Sequence, residues 1–156
     1  MSILAFLKEN TIFKKITKPD IMKGMFNQKS VSLIFPAFNE EENITTAIKD
    51  FQSLKIFDEI IVVDNNSTDQ TNKLARNSGA KVVKETHQGY GFALRRGMNE
   101  AKGDYVVLCE PDHTFLAKDT LKLLSKIDKV DLVLGTRTNK DFIEKGANMG
   151  TLLRWG

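Results

Sequence analysis

The chain has 156 residues, of which 41% are hydrophobic and 28% are charged, and its formal net charge is +3. These values are ordinary for one globular domain that is long enough to bury a core, and we expect no nucleic-acid partner. No apolar run approaches the roughly 20 residues of a membrane-spanning helix. The single cysteine excludes an internal disulfide and favours a reducing compartment, so we expect a cytoplasmic protein.

Residues 1–30 form a basic leader that differs in composition from the domain at 31–156. The leader carries six lysines against Glu9 and Asp20, a net charge of +4. Its hydrophobic spacing is irregular, so we expect a helical segment that packs on the domain with its lysines in solvent. The alternative is a peripheral contact with the anionic cytoplasmic face of a membrane. The apolar patch at 3–7 lacks a cleavage site and is not expected to be a signal peptide.

The first strand and helix of the domain flank a Pro-Ala-Phe-Asn segment. Residues 31–35 are strand formers, and the strand is expected to stop at Pro36, which cannot donate to a ladder. A helix is predicted over 40–54, with Asn39 as its N-cap and three glutamates in its first turn. Capping explains one or two of these acids. Glu40, nearest the strand end, is the candidate to accept hydrogen bonds from a ligand.

A second apolar strand is predicted at 59–63 and is followed by a polar turn. Ser67 or Thr68 is expected to cap the next helix, which should end near Gly79. Asp64 lies directly at the strand end. It can accept a hydrogen bond from a nucleobase or ribose, or it can simply form the turn.

A short third strand at 81–84 leads into a glycine-containing loop at 87–91. The two glycines permit close backbone approach, and His87 is expected to be an ordinary loop residue. The following helix is predicted to close at Gly103. The loop resembles a dinucleotide-binding fingerprint, but Leu94 stands where that fingerprint needs glycine or alanine, which disfavours a dinucleotide-dependent oxidoreductase.

The next strand, at 105–109, is apolar throughout and ends at an acidic turn. Glu110 and Asp112 flank Pro111, which stiffens the turn, and Cys109 is expected to be a buried thiol. Hard oxygen ligands at the carboxyl end of a strand suit Mg²⁺ or Mn²⁺ bound to a diphosphate. The alternative is a solvated acidic turn.

A helix at 117–127 and a strand at 131–134 complete the predicted elements. Strands alternate with helices, so an α/β fold with a mostly parallel sheet is expected. Arg137 follows the last strand and suits bidentate phosphate recognition. Polar residues therefore follow four strands at what should be one edge of the sheet: Glu40, Asp64, the Glu110–Asp112 pair and Arg137.

Four stretches carry a resemblance to a known family: VSLIFPAFNEEENI (31–44), DEIIVVDNNSTDQT (58–71), GYGFALRRGMNEAKGDYVVLCEPD (89–112) and GTR (135–137). Together they resemble glycosyltransferase family two, of the three-layer Rossmann-like GT-A fold, and within it the dolichyl-phosphate mannose synthase-like enzymes. Family members continue well past this point, so the domain at 31–156 is expected to be truncated at its C-terminal end.

The resemblance implies a nucleotide-sugar site and a metal site. Glu110 and Asp112 match the D-x-D motif, whose acids hold Mg²⁺ or Mn²⁺ and the sugar diphosphate, and are the implied catalytic residues. Phe38 replaces a usual tyrosine, Asn65 replaces the second acid of an Asp-Asp pair, and Glu110 replaces an aspartate. The implied nucleotide-sugar residues are Pro36, Phe38, Glu40, Val62, Asp64, Pro111 and Arg137.

The function that this resemblance implies is metal-assisted, inverting transfer of a sugar from a UDP- or GDP-linked donor. The implied acceptor is a polyprenyl phosphate, and the implied enzyme is a hexosyltransferase. The alternative is a nucleotide-binding or partner-binding module without turnover, because the acceptor part is missing.

Overall fold

A six-stranded β-sheet forms the centre of the computed structural model, which describes residues 4–7, 29–127 and 130–135. The strands are β1 (Leu4–Leu7), β2 (Val31–Ala37), β3 (Glu59–Asp64), β4 (Lys81–Lys84), β5 (Tyr105–Leu108) and β6 (Leu132–Leu134). The helices are α1 (Ile44–Ser53), α2 (Thr71–Asn77), α3 (Tyr90–Glu100) and α4 (Asp119–Leu124). The strand order is β4-β3-β2-β5-β1-β6, with β2 to β5 parallel and β1 antiparallel to both neighbours.

Helices cover both faces of the sheet, which gives three layers. Leu33 and Phe35 of β2 pack in one cluster with residues of α1, α2 and α4, whereas Ile34 packs in a second cluster with residues of α3. This alternation follows from the two-residue period of a strand, and every residue of β2 is buried as a result. The α/β fold with a mostly parallel sheet, predicted from the sequence, is confirmed.

Pro36 does not end the first strand of the domain, because β2 continues to Ala37 in register with the end of β3. In a parallel strand, the backbone N–H and C=O groups of successive residues point in turn to one neighbouring strand and then to the other. Ile34 faces β5, where its carbonyl accepts a hydrogen bond from the N–H of Cys109. Ala37 faces β3, where its carbonyl accepts from the N–H of Asn65. Pro36 therefore faces the side where pairing with β5 has already ended, and the N–H that it lacks is not needed there.

Two helices begin later than the sequence predicted. α1 begins at Ile44, because Asn39 adopts a left-handed backbone conformation (φ 55°) instead of capping a helix. The Asn39 side-chain oxygen accepts from the N–H of Thr68 at 2.9 Å, and its own N–H donates to Ser67 Oγ at 3.1 Å. Ser67 and Thr68 therefore connect two loops and do not cap α2. The predicted stop at Gly79 is confirmed, since this glycine follows α2 with a φ of 85°.

Small residues let α3 lie close to the sheet. A Cβ added to Gly97 would stand 2.4 Å from Ile34 Cγ2 and 3.1 Å from Val63 Cγ2. The helix ends before Gly103, whose role is also close packing, because a Cβ there would lie 2.6 Å from the backbone nitrogen of Ser32. The close helix–sheet contact that Leu94 could not provide is thus made at Gly97.

The strand β1 was not predicted from the sequence. Leu4–Leu7 runs between β5 and β6 and pairs antiparallel with both, so this part of the leader completes the sheet. The helical structure expected for the leader is therefore wrong at residues 4–7. Residues 1–3 and 8–28 lie outside the described residues, and their packing or membrane contact stays a prediction. Within the ranges that the structure describes, no helix is long and apolar enough to cross a membrane.

Candidate active site

The loops that follow β2, β3 and β5 lie together at the carboxyl edge of the sheet. Ala37 and Asp64 are in register at the ends of β2 and β3. On the other side of β2, the last paired residue of β5 is aligned with Ile34. The strand ends therefore bring four of the sequence-predicted acids to one edge: Glu40, Asp64, Glu110 and Asp112.

Glu110, Pro111 and Asp112 form a turn directly after β5. Pro111 is buried and Glu110 is half-buried. Burial and, after it, the negative charge of Asp112 raise the pKa of Glu110 to about 7, against the opposing effect of the Tyr90 hydroxyl. Asp112 Oδ1 accepts from the N–H of Thr114 at 3.0 Å, which fixes the far side of the turn.

Glu40, in the loop after β2, belongs to the same group of charges. Its carboxylate is half-buried and accepts a hydrogen bond from Asn43 Nδ2 at 3.0 Å. Burial raises its pKa, the bond from Asn43 lowers it, and the charge of Asp112 raises it again. Glu40 in turn raises the pKa of Glu110. Glu40, Glu110 and Asp112 therefore lie close enough to repel one another.

Cross-links between the loops after β2 and β3 hold Glu40 in place. Its backbone N–H donates to Thr71 Oγ1 at 2.7 Å. The next residue, Glu41, donates its N–H to Asp69 Oδ2 at 3.1 Å, and its side chain accepts from the N–H of Gln70 at 2.9 Å. These bonds join the start of α2 to the segment before α1, so the acidic group stands on a fixed frame.

Asp64 is buried at the end of β3, and both of its carboxylate oxygens have partners. Oδ1 accepts from the N–H of Ser67 at 3.0 Å, and Oδ2 accepts from Asn72 Nδ2 at 2.8 Å. The turn-forming alternative is therefore observed. Each carboxylate oxygen can accept a second hydrogen bond, so this geometry also leaves capacity for a ligand.

The remaining sequence-predicted residues differ in accessibility. Pro36 is buried within β2, and Phe38 is half-buried in the loop that follows. Val62 is 0% exposed and packs in the core beneath this edge, so its side chain presents no surface to a ligand. Arg137 lies outside the described residues.

Asn65 is a buried connector that the sequence did not reveal. Its amide nitrogen donates to the carbonyl oxygens of Glu85 and His87 at 3.0 and 2.7 Å. Its side-chain oxygen accepts from the N–H of Gly89 at 2.8 Å. One side chain thus holds the whole loop between β4 and α3. The amide in place of the family's second acid was the available signal.

That loop presents an exposed group of side chains beside the edge. The His87 ring lies 3.1 Å from Glu85 Oε1 and stacks on Phe92 with 5.4 Å between the ring centroids. The Arg95 guanidinium lies over the Phe92 ring, 5.5 Å from its centroid. His87 therefore has an acidic partner that the sequence did not show, although it remains an exposed loop residue as predicted.

The comparison with known families decides the identity. Residues 32–151 match the family model described as Glycosyl transferase family 2. The chain belongs to glycosyltransferase family 2.

Three similar proteins differ in how much of their own length this chain matches. An uncharacterized glycosyltransferase of Mycobacterium tuberculosis is 37% identical over 69% of this chain and 49% of its own length. The glycosyltransferase AglJ of Haloferax volcanii is 34% identical over 69% of this chain and 36% of its own length. Protein RfbJ of Shigella flexneri is 30% identical over 72% of this chain and 89% of its own length. The chain thus spans about half, or less, of the first two relatives.

Solved structures show the same fold. Glucosyl-3-phosphoglycerate synthase of M. tuberculosis in complex with UDP has a TM-score of 0.60 and 31% identity, over 66% of this chain and 41% of that one. The same synthase in complex with Mn²⁺, UDP-glucose and phosphoglyceric acid has a TM-score of 0.51 and 36% identity, over 54% and 33%. These neighbours confirm the GT-A architecture that the resemblance implied.

The acidic turn fits a divalent metal that is bound jointly with a substrate. In the described part of the chain, no group of three or more His, Cys, Asp or Glu side chains could enclose a metal, and no ion pair involves Glu40, Glu110 or Asp112. Mg²⁺ is typically held by one or two carboxylates together with substrate phosphates, and does not need a cage of protein ligands. Glu110 and Asp112 on their stiff turn, with Glu40 beside them, could supply carboxylates of this kind.

Proposed function

We propose that this chain is the donor-binding part of a hexosyltransferase, which transfers a sugar from a nucleotide-diphosphate sugar to an acceptor. The observation that carries the proposal is the position of Glu40, Glu110 and Asp112 in the loops after β2 and β5, whose strand ends lie side by side at one edge of the sheet. Membership of glycosyltransferase family 2 and likeness to a synthase crystallised with Mn²⁺ and UDP-glucose support it.

Each residue of the edge has a proposed role. Asp112 with Glu110 would hold Mg²⁺ or Mn²⁺, which when bound would neutralise charge on the leaving diphosphate. Asp64, Glu40 and the segment around Phe38 would bind the nucleoside, with Pro36 and Val62 supporting the strand ends. Pro111 keeps the two acids of the turn at a fixed separation. Arg137 would add positive charge at the diphosphate.

The proposed nucleotide of the donor and the proposed acceptor rest on different observations. UDP is the proposed nucleotide because the neighbouring synthase was crystallised with it, and GDP is the alternative. The acceptor is proposed to carry a phosphate, as phosphoglyceric acid does in that complex and as a polyprenyl phosphate does. The dolichyl-phosphate mannose synthase-like subtype and inversion stay predictions that rest on the sequence motifs, and membrane contact stays a prediction that rests on the basic leader.

Calorimetric titration of UDP and GDP, each with and without Mn²⁺, tests the proposal. We expect one nucleotide to bind more tightly when the metal is present. Equal binding with and without metal, or no binding, would refute a metal-assisted donor site in this chain.

Turnover separates the enzyme from a binding module. The chain is incubated with UDP-glucose, Mn²⁺ and either 3-phosphoglycerate or a short polyprenyl phosphate, beside a form extended at the C-terminus to the length of its relatives. Release of UDP that depends on one acceptor identifies a transferase. Donor binding without turnover in both forms favours the module.

A further inference from the structure

The leader strand β1 lies between the strand that precedes the acidic turn and the last described strand. Leu4 of β1 is aligned with Leu108 of β5 on one side and with Leu134 of β6 on the other. Because β1 is antiparallel to both neighbours, β6 runs parallel to β5. The carboxyl end of β6 therefore lies at the same edge of the sheet as the turn at 110–112.

The strand β6 depends on β1 for its place in the sheet. Among the described strands it pairs with β1 alone, and it is only three residues long. α4 also contacts β6, but of its side chains only Val133 packs against the core, whereas Leu132 and Leu134 are 42% and 52% exposed. Because β6 buries little apolar surface of its own, the backbone hydrogen bonds to β1 are its main attachment.

The chain that follows β6 starts within reach of the acidic turn. Neighbouring strands lie about 4.8 Å apart, so two spacings, about 10 Å, separate the end of β6 from the end of β5. Arg137 lies outside the described residues, three positions after Leu134. Three extended residues span about 10 Å, so the position of β6 decides whether Arg137 can reach a diphosphate at the acidic turn.

We propose that the leader strand β1 is a positioning element of the donor site, because it holds β6, and the Arg137 that follows it, at the edge where the acidic turn lies. The inference rests on the proposed function and gives the leader a role in binding the nucleotide-sugar diphosphate. A β1 that only stabilises the fold would raise the free energy of unfolding and leave the donor affinity of the folded chain unchanged.

Ala5→Pro in the full chain tests whether β1 holds β6. Ala5 is aligned with Val107 on one side and with Val133 on the other, and a proline in such a central strand removes a ladder hydrogen bond. Ala5→Gly keeps the N–H and is the matched control. In hydrogen exchange followed by mass spectrometry, we expect Ala5→Pro to lose protection at β6 and to keep it at β2 and β3, whereas the control keeps it at all three.

Calorimetric titration of UDP in the presence of Mn²⁺ separates positioning from stability. We expect Ala5→Pro to bind UDP about tenfold more weakly, and Arg137→Gln to lose about as much, because each would remove the same contact with the diphosphate. The double variant should be no weaker than Arg137→Gln alone. Ala5→Gly should bind UDP as the unsubstituted chain does.

Four results would overturn the inference. In the Ala5→Pro variant these are a β6 that keeps its protection, an unchanged affinity for UDP, and a loss of protection throughout the sheet, which would mean that β1 is needed for folding and not for position. The fourth is a double variant in which the two losses add in full. Absence of Mn²⁺-dependent UDP binding in the unsubstituted chain would instead refute the proposed function, while hydrogen exchange would still show whether β1 holds β6.

Discussion

Replacement of Asn65 by aspartate tests whether one buried amide holds the site together. The amide nitrogen donates to two carbonyl oxygens, and the residue is only 2% exposed. At neutral pH an aspartate has the same shape but no donor, so the carbonyls of Glu85 and His87 lose their partner and face a negative charge. At about 1–3 kcal/mol for each of the two carbonyl groups left unsatisfied, we expect the free energy of unfolding to fall by about 2–6 kcal/mol.

Urea denaturation followed by circular dichroism measures this loss, with Asn66→Asp as the control. Asn66 makes similar amide contacts, to the Thr86 carbonyl at 2.9 Å and to Gln88 Oε1 at 3.2 Å, but these lie in solvent. The control should lose less than about 1 kcal/mol. Equal losses in the two variants would refute the argument, and would mean that the loop accepts the acid found in the family pattern.

Two further predictions concern packing and pH. Gly97→Ala should lower the free energy of unfolding by about 1–3 kcal/mol in the same denaturation assay, because its methyl group would overlap Ile34. The control Gly91→Ala should be neutral or stabilising, because a Cβ there has nothing within 4 Å. Equal effects of the two variants would contradict the close approach of α3 to the sheet. The pKa of Glu110 rises in the folded state from 4.5 to about 7, so its ionisation opposes folding as the pH rises through that window. Glu110→Gln should therefore raise the melting temperature at pH 8 and change it little at pH 4, and a shift that is the same at both would contradict the burial of this acid.

The sequence predicted the elements whose signal is local. Apolar runs and helical spacing located β2 to β6, α1, α3 and α4, cap and stop residues indicated α2, and the alternation of strands and helices predicted the parallel sheet. The strand β1 was missed because its partners lie about 100 residues away in β5 and about 130 residues away in β6, and no local pattern reveals such a pairing. The helix start at Ile44 was missed because the Asn39 side chain bonds to another loop and not to its own helix.

The candidate site likewise has residues that the sequence predicted and residues that it did not. The acids at the strand ends could be predicted, because parallel strands place their carboxyl ends at one edge. The role of Asn65 could not, since its partners lie 20 or more positions away along the chain. A single amide carries no pattern that identifies its partners, and only the fold brings the loop between β4 and α3 to the end of β3.

The most direct test of the donor site is the gain in UDP affinity that Mn²⁺ confers, measured by calorimetry on the unsubstituted chain and on Asp112→Asn. Asp119→Asn, in the first turn of α4, is the control. We predict that Mn²⁺ strengthens UDP binding in the unsubstituted chain and in the control, and that Asp112→Asn reduces this gain by about 100-fold, since even substitution of residues that only support metal ligands costs about 10–100-fold. If Asp112→Asn retains the full gain, Asp112 does not hold the metal and the proposed donor site is wrong.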